Sequence, residues 1–184
     1  LGLKHLKAVH YLQQAAEKAL QRYAYQEAIA LLRPGLAVSS KLPESSERHT
    51  CELALRIALG QVLTVTQGPG ASEVAGIYAR AEELCREVGD IQQRIAVLRG
   101  LRRATQGQGE PMRAQPLAEE FLRLAQQTQN AALLIEGHVA LGGCLFYLGH
   151  VATAHTHLED GLAIDDAREE ALRRQLARDA AELS

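Results

Sequence analysis

The sequence predicts an all-α fold made of antiparallel helix pairs that stack along the chain. Strong helix formers (Ala, Leu, Gln, Glu and Arg) dominate, and strand-like alternation is brief. Small residues also alternate with large apolar ones near the end of the chain, and a similar pattern recurs near its start. The first set is Ala140, Leu141, Gly142, Leu148, Gly149, Ala154, Leu158, Gly161 and Leu162; the second is Leu12, Ala15, Ala16, Ala19, Tyr25, Ala28, Leu32, Gly35 and Leu36. Because small residues let two helices approach closely, this recurrence indicates stacked helical hairpins.

The first three helices follow from their apolar stripes and their ends. We predict helices over residues 3–22, 25–38 and 47–67. Pro34 lies inside the second and should kink or end it. Ser45 or Ser46 can cap the third, which has two apolar faces and therefore lies between neighbours. The segment Gly68-Pro69-Gly70 ends it.

The next helices are set by the same kinds of signal. A fourth helix, over residues 74–88, ends at Gly89, and Asp90 caps a fifth that runs to the Gly-Gln-Gly turn at 107–109. Pro111 suits the first turn of a sixth helix, whereas Pro116 predicts a kink or a later start. Asn130 caps a seventh helix, and an eighth covers residues 151–162. Eight helices in four hairpins result.

The last segment, residues 165–184, is dense in Asp, Glu and Arg and has only a narrow apolar stripe. Because the terminal unit of a repeat array needs a polar outer face, we expect a C-terminal capping helix there. The alternative is the beginning of a further repeat. The predicted organisation is therefore a repeat domain over 1–164 and a polar capping helix over 165–184.

Composition excludes several function classes. The 184 residues suffice for one domain or for about four to five helical repeats. A formal net charge of -2 and an aromatic content of 4% without Trp disfavour a nucleic-acid partner. No run of 18 apolar residues and no signal-peptide pattern occurs, so we expect no membrane contact and a cytoplasmic protein. A start at Leu1 suggests a segment of a longer protein.

The motif search favours a protein that is not an enzyme. Neither Gly-rich segment continues into the Gly-Lys-Ser/Thr of a phosphate-binding loop, and no nucleophile signature occurs. Cys51, Cys85 and Cys144 lack Cys-x-x-Cys spacing, which indicates buried apolar fillers. His155 and His157, near His150, point to nearly opposite sides of a helix. We therefore expect no catalytic residues, no cofactor and no metal site.

Two sets of positions resemble tetratricopeptide (TPR) repeats. They are His138, Leu141, Gly142 and Leu145 in a first helix and Ala154, Leu158, Gly161 and Leu162 in a second. The first unit departs from the pattern, with Ala15 and Ala16 in place of Leu-Gly, and the spacing between units exceeds the family's 34 residues. The resemblance covers about residues 8–163 and implies a right-handed α-solenoid of about four antiparallel helix pairs.

A narrower resemblance involves the stretches 11–36 and 141–161. Both are similar to the C-terminal TPR region of large bacterial signalling proteins, in which a predicted ATPase module, often beside an adenylate or guanylate cyclase or a kinase domain, precedes a long TPR array. It implies a sensor or assembly arm of a multidomain regulator. The ATPase and cyclase motifs themselves do not occur in this chain.

The candidate binding residues follow from the groove that TPR proteins use. Arg99 and Arg103 lie four apart on a groove-lining helix and can pair with acidic groups of a peptide. A solvated face paired with nearby Glu is the alternative. We assign further specificity to five residues: Glu136, Phe146, Tyr147, His10 and Glu17. Core packing is the alternative for the two aromatic residues.

Two functions remain open from the sequence. The first is a protein-interaction module that receives a peptide or a partner domain in its concave groove. The second is a structural or oligomerisation spacer, in which the same faces pair with another copy. A small-molecule pocket inside the repeat array is a third, weaker hypothesis.

Overall fold

The computed structural model describes residues 2–182, with side chains described for residues 5–170 and for Arg174. In this part of the chain all regular structure is helical. The eight helices are α1 (Gly2–Gln21), α2 (Tyr25–Ser39), α3 (Ser46–Gln67), α4 (Ser72–Val88), α5 (Ile91–Gly107), α6 (Pro111–Thr128), α7 (Ala131–Tyr147) and α8 (Val151–Glu182). None of these described helices is both long and apolar enough to cross a membrane.

The predicted helix caps are confirmed. The Ser45 hydroxyl accepts a hydrogen bond of 3.2 Å from the backbone N–H of Arg48. Asp90 and Gln93 form a capping box, in which each side chain accepts from the backbone N–H of the other. The Asn130 side chain accepts from the backbone N–H groups of Ala132 and Leu133 in the first turn of α7. Local side-chain chemistry therefore fixes where three of the helices begin.

The two internal prolines do not end or delay their helices. The helix α2 does not end at Pro34, and α6 begins at Pro111 and continues through Pro116. Termination at Pro34 and a later start at Pro116 were therefore wrong. Leu32 and Gly35 are buried on either side of Pro34, and this tertiary packing outweighs the loss of one backbone hydrogen bond.

The chain forms two compact units: unit 1 is Leu1–Ala114 and unit 2 is Gln115–Ser184. In unit 1, α1 packs against α2 and α3 against α4, while α3 also contacts α1, α2 and α5. Its core is apolar, with Leu32, Leu55 and Leu63 completely buried. The contacts of α3 with several neighbours confirm the prediction drawn from its two apolar faces.

Unit 2 contains the closely packed pair α7 and α8. A Cβ atom added to Gly142 would lie 3.1 Å from the carbonyl oxygen of Ala154, and one added to Gly137 would lie 2.9 Å from a methyl carbon of Leu122 in α6. Small residues thus bring the helices together, as the sequence pattern predicts. The helix α8 is continuous across residue 165, where the capping segment was expected to begin, so the described part of that segment extends α8. Its role as a polar cap stays a prediction.

In the second half of the chain the helices recur with a spacing of 40 residues, since α5 begins at Ile91 and α7 at Ala131. Burial follows the same spacing: Val74 and Tyr78 in α4 are buried, as are Ala114 and Ala118. This spacing agrees with the prediction of repeats longer than 34 residues.

Candidate functional site

A pocket of about 210 Å³ lies in unit 1 between α3 and α5. Residues three or four apart on a helix share a face, so each helix presents a short row of side chains to the pocket. The side of α3 contributes both polar and apolar groups, the side of α5 contributes two arginines, and one residue comes from α4. The lining residues are Gln61, Thr64, Val65, Tyr78, Ala96, Arg99, Gly100 and Arg103.

Tyr78 forms the base of the pocket and is only 2% exposed. Its ring fits between Gly60 of α3 and Gly100 of α5. A Cβ atom added to Gly60 would lie 2.6 Å from Cζ of Tyr78, and one added to Gly100 would overlap the same atom. The absence of two side chains, forty residues apart in the chain, therefore makes room for one aromatic ring.

The charges of the two arginines influence the hydroxyl group of Tyr78. Burial raises the pKa of Tyr78, while a hydrogen bond with Thr64 and the charges of Arg103 and Arg99 act in the opposite direction. The Thr64 hydroxyl also donates a hydrogen bond of 2.7 Å to the carbonyl oxygen of Gly60. The pocket thus combines a positive wall with a buried hydroxyl at its base.

The structure brings only some of the predicted site residues together. Arg99 and Arg103 line the same pocket. His10 and Glu17 lie on α1 and do not line it: Nε2 of His10 is 3.7 Å from Sγ of Cys51, and Glu17 accepts a hydrogen bond from the Gln13 side chain.

The other predicted site residues, Glu136, Phe146 and Tyr147, lie on α7 in unit 2. The two aromatic side chains are 59% and 67% exposed and meet edge to face, with ring centroids 6.0 Å apart. Core packing is therefore wrong for both, and they form an exposed aromatic pair.

Sequence reasoning missed the contribution of Tyr78 to the pocket. The available signal was the pair Gly60 and Gly100, which stand at equivalent positions of α3 and α5. A glycine inside a helix is unfavourable unless another group packs closely against it. The two glycines therefore indicated a bulky neighbour, although not which residue supplies it.

A histidine cluster in unit 2 was also missed. Nδ1 of His138 in α7 lies 3.3 Å from Nδ1 of His157 and 3.7 Å from a carboxylate oxygen of Asp160, both in α8. Burial lowers the pKa of His138, with Asp160 acting in the opposite direction. His155 points elsewhere and lies 3.2 Å from the carboxylate of Glu159. The expected divergence of His155 and His157 is confirmed. Spacing along one helix alone, however, does not show the contact of His157 with His138 of α7, which was therefore missed.

Comparison with known proteins identifies the fold of the chain. No protein-family model matches the chain, and no curated protein matches it either. Among solved structures, the apo form of RapI is similar over 88% of this chain, with a TM-score of 0.74 and 16% sequence identity. The TPR domain of Arabidopsis FLU is similar over 65% of this chain and 98% of that domain, with a TM-score of 0.58 and 20% identity.

The fold is TPR-like. The predicted all-α helical-repeat solenoid is thereby confirmed. At such low identities the similarity is one of fold alone. The chain spans 57% of the length of RapI. In this TPR-like frame, the pocket of unit 1 is formed by the first helices of two successive helix pairs, α3 and α5.

Proposed function

We propose that this chain is a protein-interaction module that binds an acidic peptide segment at the pocket of unit 1. The observation that carries the proposal is the placement of Arg99 and Arg103 on one wall of that pocket. Helical-repeat proteins present rigid surfaces to partners, and the TPR-like fold supports that general role. No catalytic role is proposed.

The chemistry of the lining favours a carboxylate. Guanidinium groups form strong, directional hydrogen bonds with carboxylates, often through two N–H donors. The side-chain amide of Gln61 on the opposite wall offers a further donor, and Val65 and Ala96 offer apolar contact to an aliphatic stem. The pocket therefore suits an Asp or Glu side chain, or the terminal carboxylate of a peptide.

The size of the pocket points the same way. Sites for cofactors and drug-sized molecules typically span roughly 300 to 1,000 Å³. At about 210 Å³ this pocket holds one side chain and a short piece of backbone, not a nucleotide cofactor. A peptide whose remaining residues lie across the surface of the helices fits this volume.

The sequence resemblance supports a finer proposal. The stretches 11–36 and 141–161 are similar to the TPR region of bacterial signalling proteins. In that setting the chain acts as a cytoplasmic sensor or assembly arm of a larger regulator. A bound segment favours whichever arrangement of the helices it binds more tightly, and this differential affinity provides the signal.

A structural or oligomerisation spacer is the second candidate. Unit 2 exposes large apolar side chains, whose contact with water is unfavourable. They are Val139, Phe146, Tyr147, Val151, Leu158 and Leu162. Contact between two copies through these side chains would bury them. In that case the function of the chain would not require a ligand in the pocket of unit 1.

Peptide binding is tested with two fluorescein-labelled peptides of equal length, one rich in Glu and one rich in Lys, measured by fluorescence anisotropy at physiological salt. We expect the Glu-rich peptide to bind and the Arg99→Glu, Arg103→Glu variant to weaken binding at least about tenfold, the order of loss for charge-assisted hydrogen bonds. An amidated Glu-rich peptide separates side-chain recognition from recognition of the terminal carboxylate.

The matched control is the Arg22→Glu, Arg86→Glu variant, which has the same net charge. Both arginines are exposed in unit 1, do not line the pocket and pair with Glu27 and Glu82. Equal weakening in both variants would mean that general attraction, not the pocket, binds the peptide. Failure of the unaltered protein to bind the Glu-rich peptide would overturn the proposal.

Sedimentation velocity separates the two candidates. A monomer that binds the peptide supports the interaction module. A stable dimer that dissociates in a Phe146→Ser, Tyr147→Ser variant, together with no peptide binding, would establish the spacer instead.

A further inference from the structure

We propose that His138, His157 and Asp160 form a binding site for a divalent transition-metal ion of the Zn²⁺ class. The three side chains offer one ligand atom each, and these atoms all lie within 4.8 Å of one another. The site lies in unit 2 and shares no residue with the pocket in unit 1.

The two helices place the ligands by their spacing and their close approach. His157 and Asp160 are three residues apart on α8 and share one face of it. His138 reaches this face from α7, beside Gly161, where an added Cβ atom would lie 3.5 Å from Cβ of His138. The imidazole of His138 thus meets α8 at short range.

The distance between the two imidazole nitrogens matches the geometry of a tetrahedral ion. Zinc binds imidazole nitrogen at about 2.0 to 2.1 Å, so two such ligands at tetrahedral angles stand about 3.3 Å apart. The two Nδ1 atoms are 3.3 Å apart. The carboxylate oxygen of Asp160 is 3.7 Å from Nδ1 of His138 and within 4.8 Å of the His157 ligand atom, so this exposed side chain would have to move closer to bind the same ion. Two of the three ligands thus already have the required separation.

The kinds of ligand select the class of ion. Two imidazole nitrogens with one carboxylate oxygen suit Zn²⁺, Co²⁺, Ni²⁺ and Cu²⁺, whereas Ca²⁺ and Mg²⁺ prefer sites made of oxygen. Three protein ligands leave one position of a tetrahedron open. Asp160 is 53% exposed at its side chain, so water reaches that position.

The same geometry also allows a direct hydrogen bond between the two imidazoles. With both rings uncharged, one Nδ1–H donates to the other Nδ1, and the pair is satisfied without a metal. An ion would replace this single hydrogen bond with three coordinate bonds that join α7 to α8. Metal binding should therefore stabilise unit 2, and this expectation separates a metal site from a hydrogen-bonded histidine pair.

The test uses ZnCl2 with the whole chain, measured by isothermal titration calorimetry, and CoCl2 measured by visible absorption. We expect one Zn²⁺ per chain, a tetrahedral Co²⁺ spectrum and a higher Tm in the presence of Zn²⁺, because a ligand that binds the folded state stabilises it. His157→Ala and Asp160→Asn should each weaken Zn²⁺ binding at least about tenfold, since even residues that only support metal ligands are worth that much.

The controls are His155→Ala and His10→Ala. His155 is exposed on the same helix and contacts Glu159. His10 lies near Cys51, and its substitution tests whether Zn²⁺ binds to this histidine and cysteine instead. Both controls should bind Zn²⁺ as the unaltered chain does. The proposal is overturned if the unaltered chain binds no Zn²⁺, if His157→Ala and Asp160→Asn bind it normally, or if His10→Ala abolishes binding. Helical circular dichroism without metal confirms that each variant is folded.

Discussion

The ring of Tyr78 lies directly against Gly100, in space that any larger residue at position 100 would occupy. Tyr78 belongs to α4 and Gly100 to α5. Gly60, which belongs to α3, also lies against the ring of Tyr78. One side chain thus sets the spacing of three helices and also forms the base of the arginine pocket.

Gly100→Ala is expected to destabilise the chain. Added atoms in a well-packed core typically cost about 1 to 3 kcal/mol, and the ring of Tyr78 is held between two helices. Urea unfolding measures the change in the free energy of unfolding. In the Tyr78→Leu background the same substitution should cost much less, because the ring that it meets is gone.

Gly76→Ala is the control for this prediction, since nothing lies within 4 Å of a Cβ atom added at that position of α4. It should leave stability unchanged or raise it by up to about 1 kcal/mol through helix propensity. Equal effects of the substitutions at positions 76 and 100 would contradict the contact with Tyr78.

The two Gly-rich segments form a second close contact. A Cβ atom added to Gly70 would lie 2.5 Å from the carbonyl oxygen of Gly107, and one added to Gly107 would lie 2.6 Å from the backbone nitrogen of Gly70. Because backbone atoms cannot rotate away, Gly107→Ala should destabilise the chain by about 1 to 3 kcal/mol. Thermal unfolding beside Gln108→Ala, an exposed neighbour, checks this, and similar Tm values for the two would refute it.

Ala154→Leu tests the packing of unit 2. Ala154 is buried, and its carbonyl lies against Gly142 of α7. A leucine should overpack this hairpin and lower the free energy of unfolding by about 1 to 3 kcal/mol. Ala152→Leu places the same side chain on the exposed face of α8 and should change the free energy of unfolding by less than about 0.5 kcal/mol. An unchanged unfolding curve for Ala154→Leu would count against the tight α7–α8 contact.

Asp90→Ala should remove the capping box of α5 and cost about 0.5 to 2 kcal/mol of stability. Asp90→Ser keeps a side-chain oxygen for the backbone N–H of Gln93 and should retain most of it. If the serine variant is as unstable as the alanine variant, the negative charge at the start of the helix matters more than the cap. Guanidinium unfolding of the three proteins distinguishes these outcomes.

The helix boundaries could be predicted because their signals are local. Asp90 and Asn130 bind backbone groups within three residues of themselves, so the information lies in a short stretch of sequence. The prolines show where this reasoning fails. Pro34 carries a strong local signal to end a helix, yet buried neighbours on the same turn keep α2 intact.

The candidate sites divide in the same way. Arg99 and Arg103 are four residues apart, so helical spacing alone predicts a shared face. Their placement beside Tyr78 depends on α3, α4 and α5 together and could not be predicted from any one of them. The contact between His138 and His157 joins positions nineteen residues apart on facing helices.

The sequence by itself determined the eight helices of the described residues, the caps of α3, α5 and α7, and the pairing of α1 with α2, α3 with α4 and α7 with α8, because hydrophobic periodicity, capping side chains and small residues act over a few residues or one turn. Only the tertiary structure decided which side chains meet across helices: Tyr78 between two glycines beneath two arginines, and His138 beside His157 and Asp160. The physical reason is that such contacts depend on how far apart two helices lie and how each is rotated about its axis, and the packing of the whole core sets both.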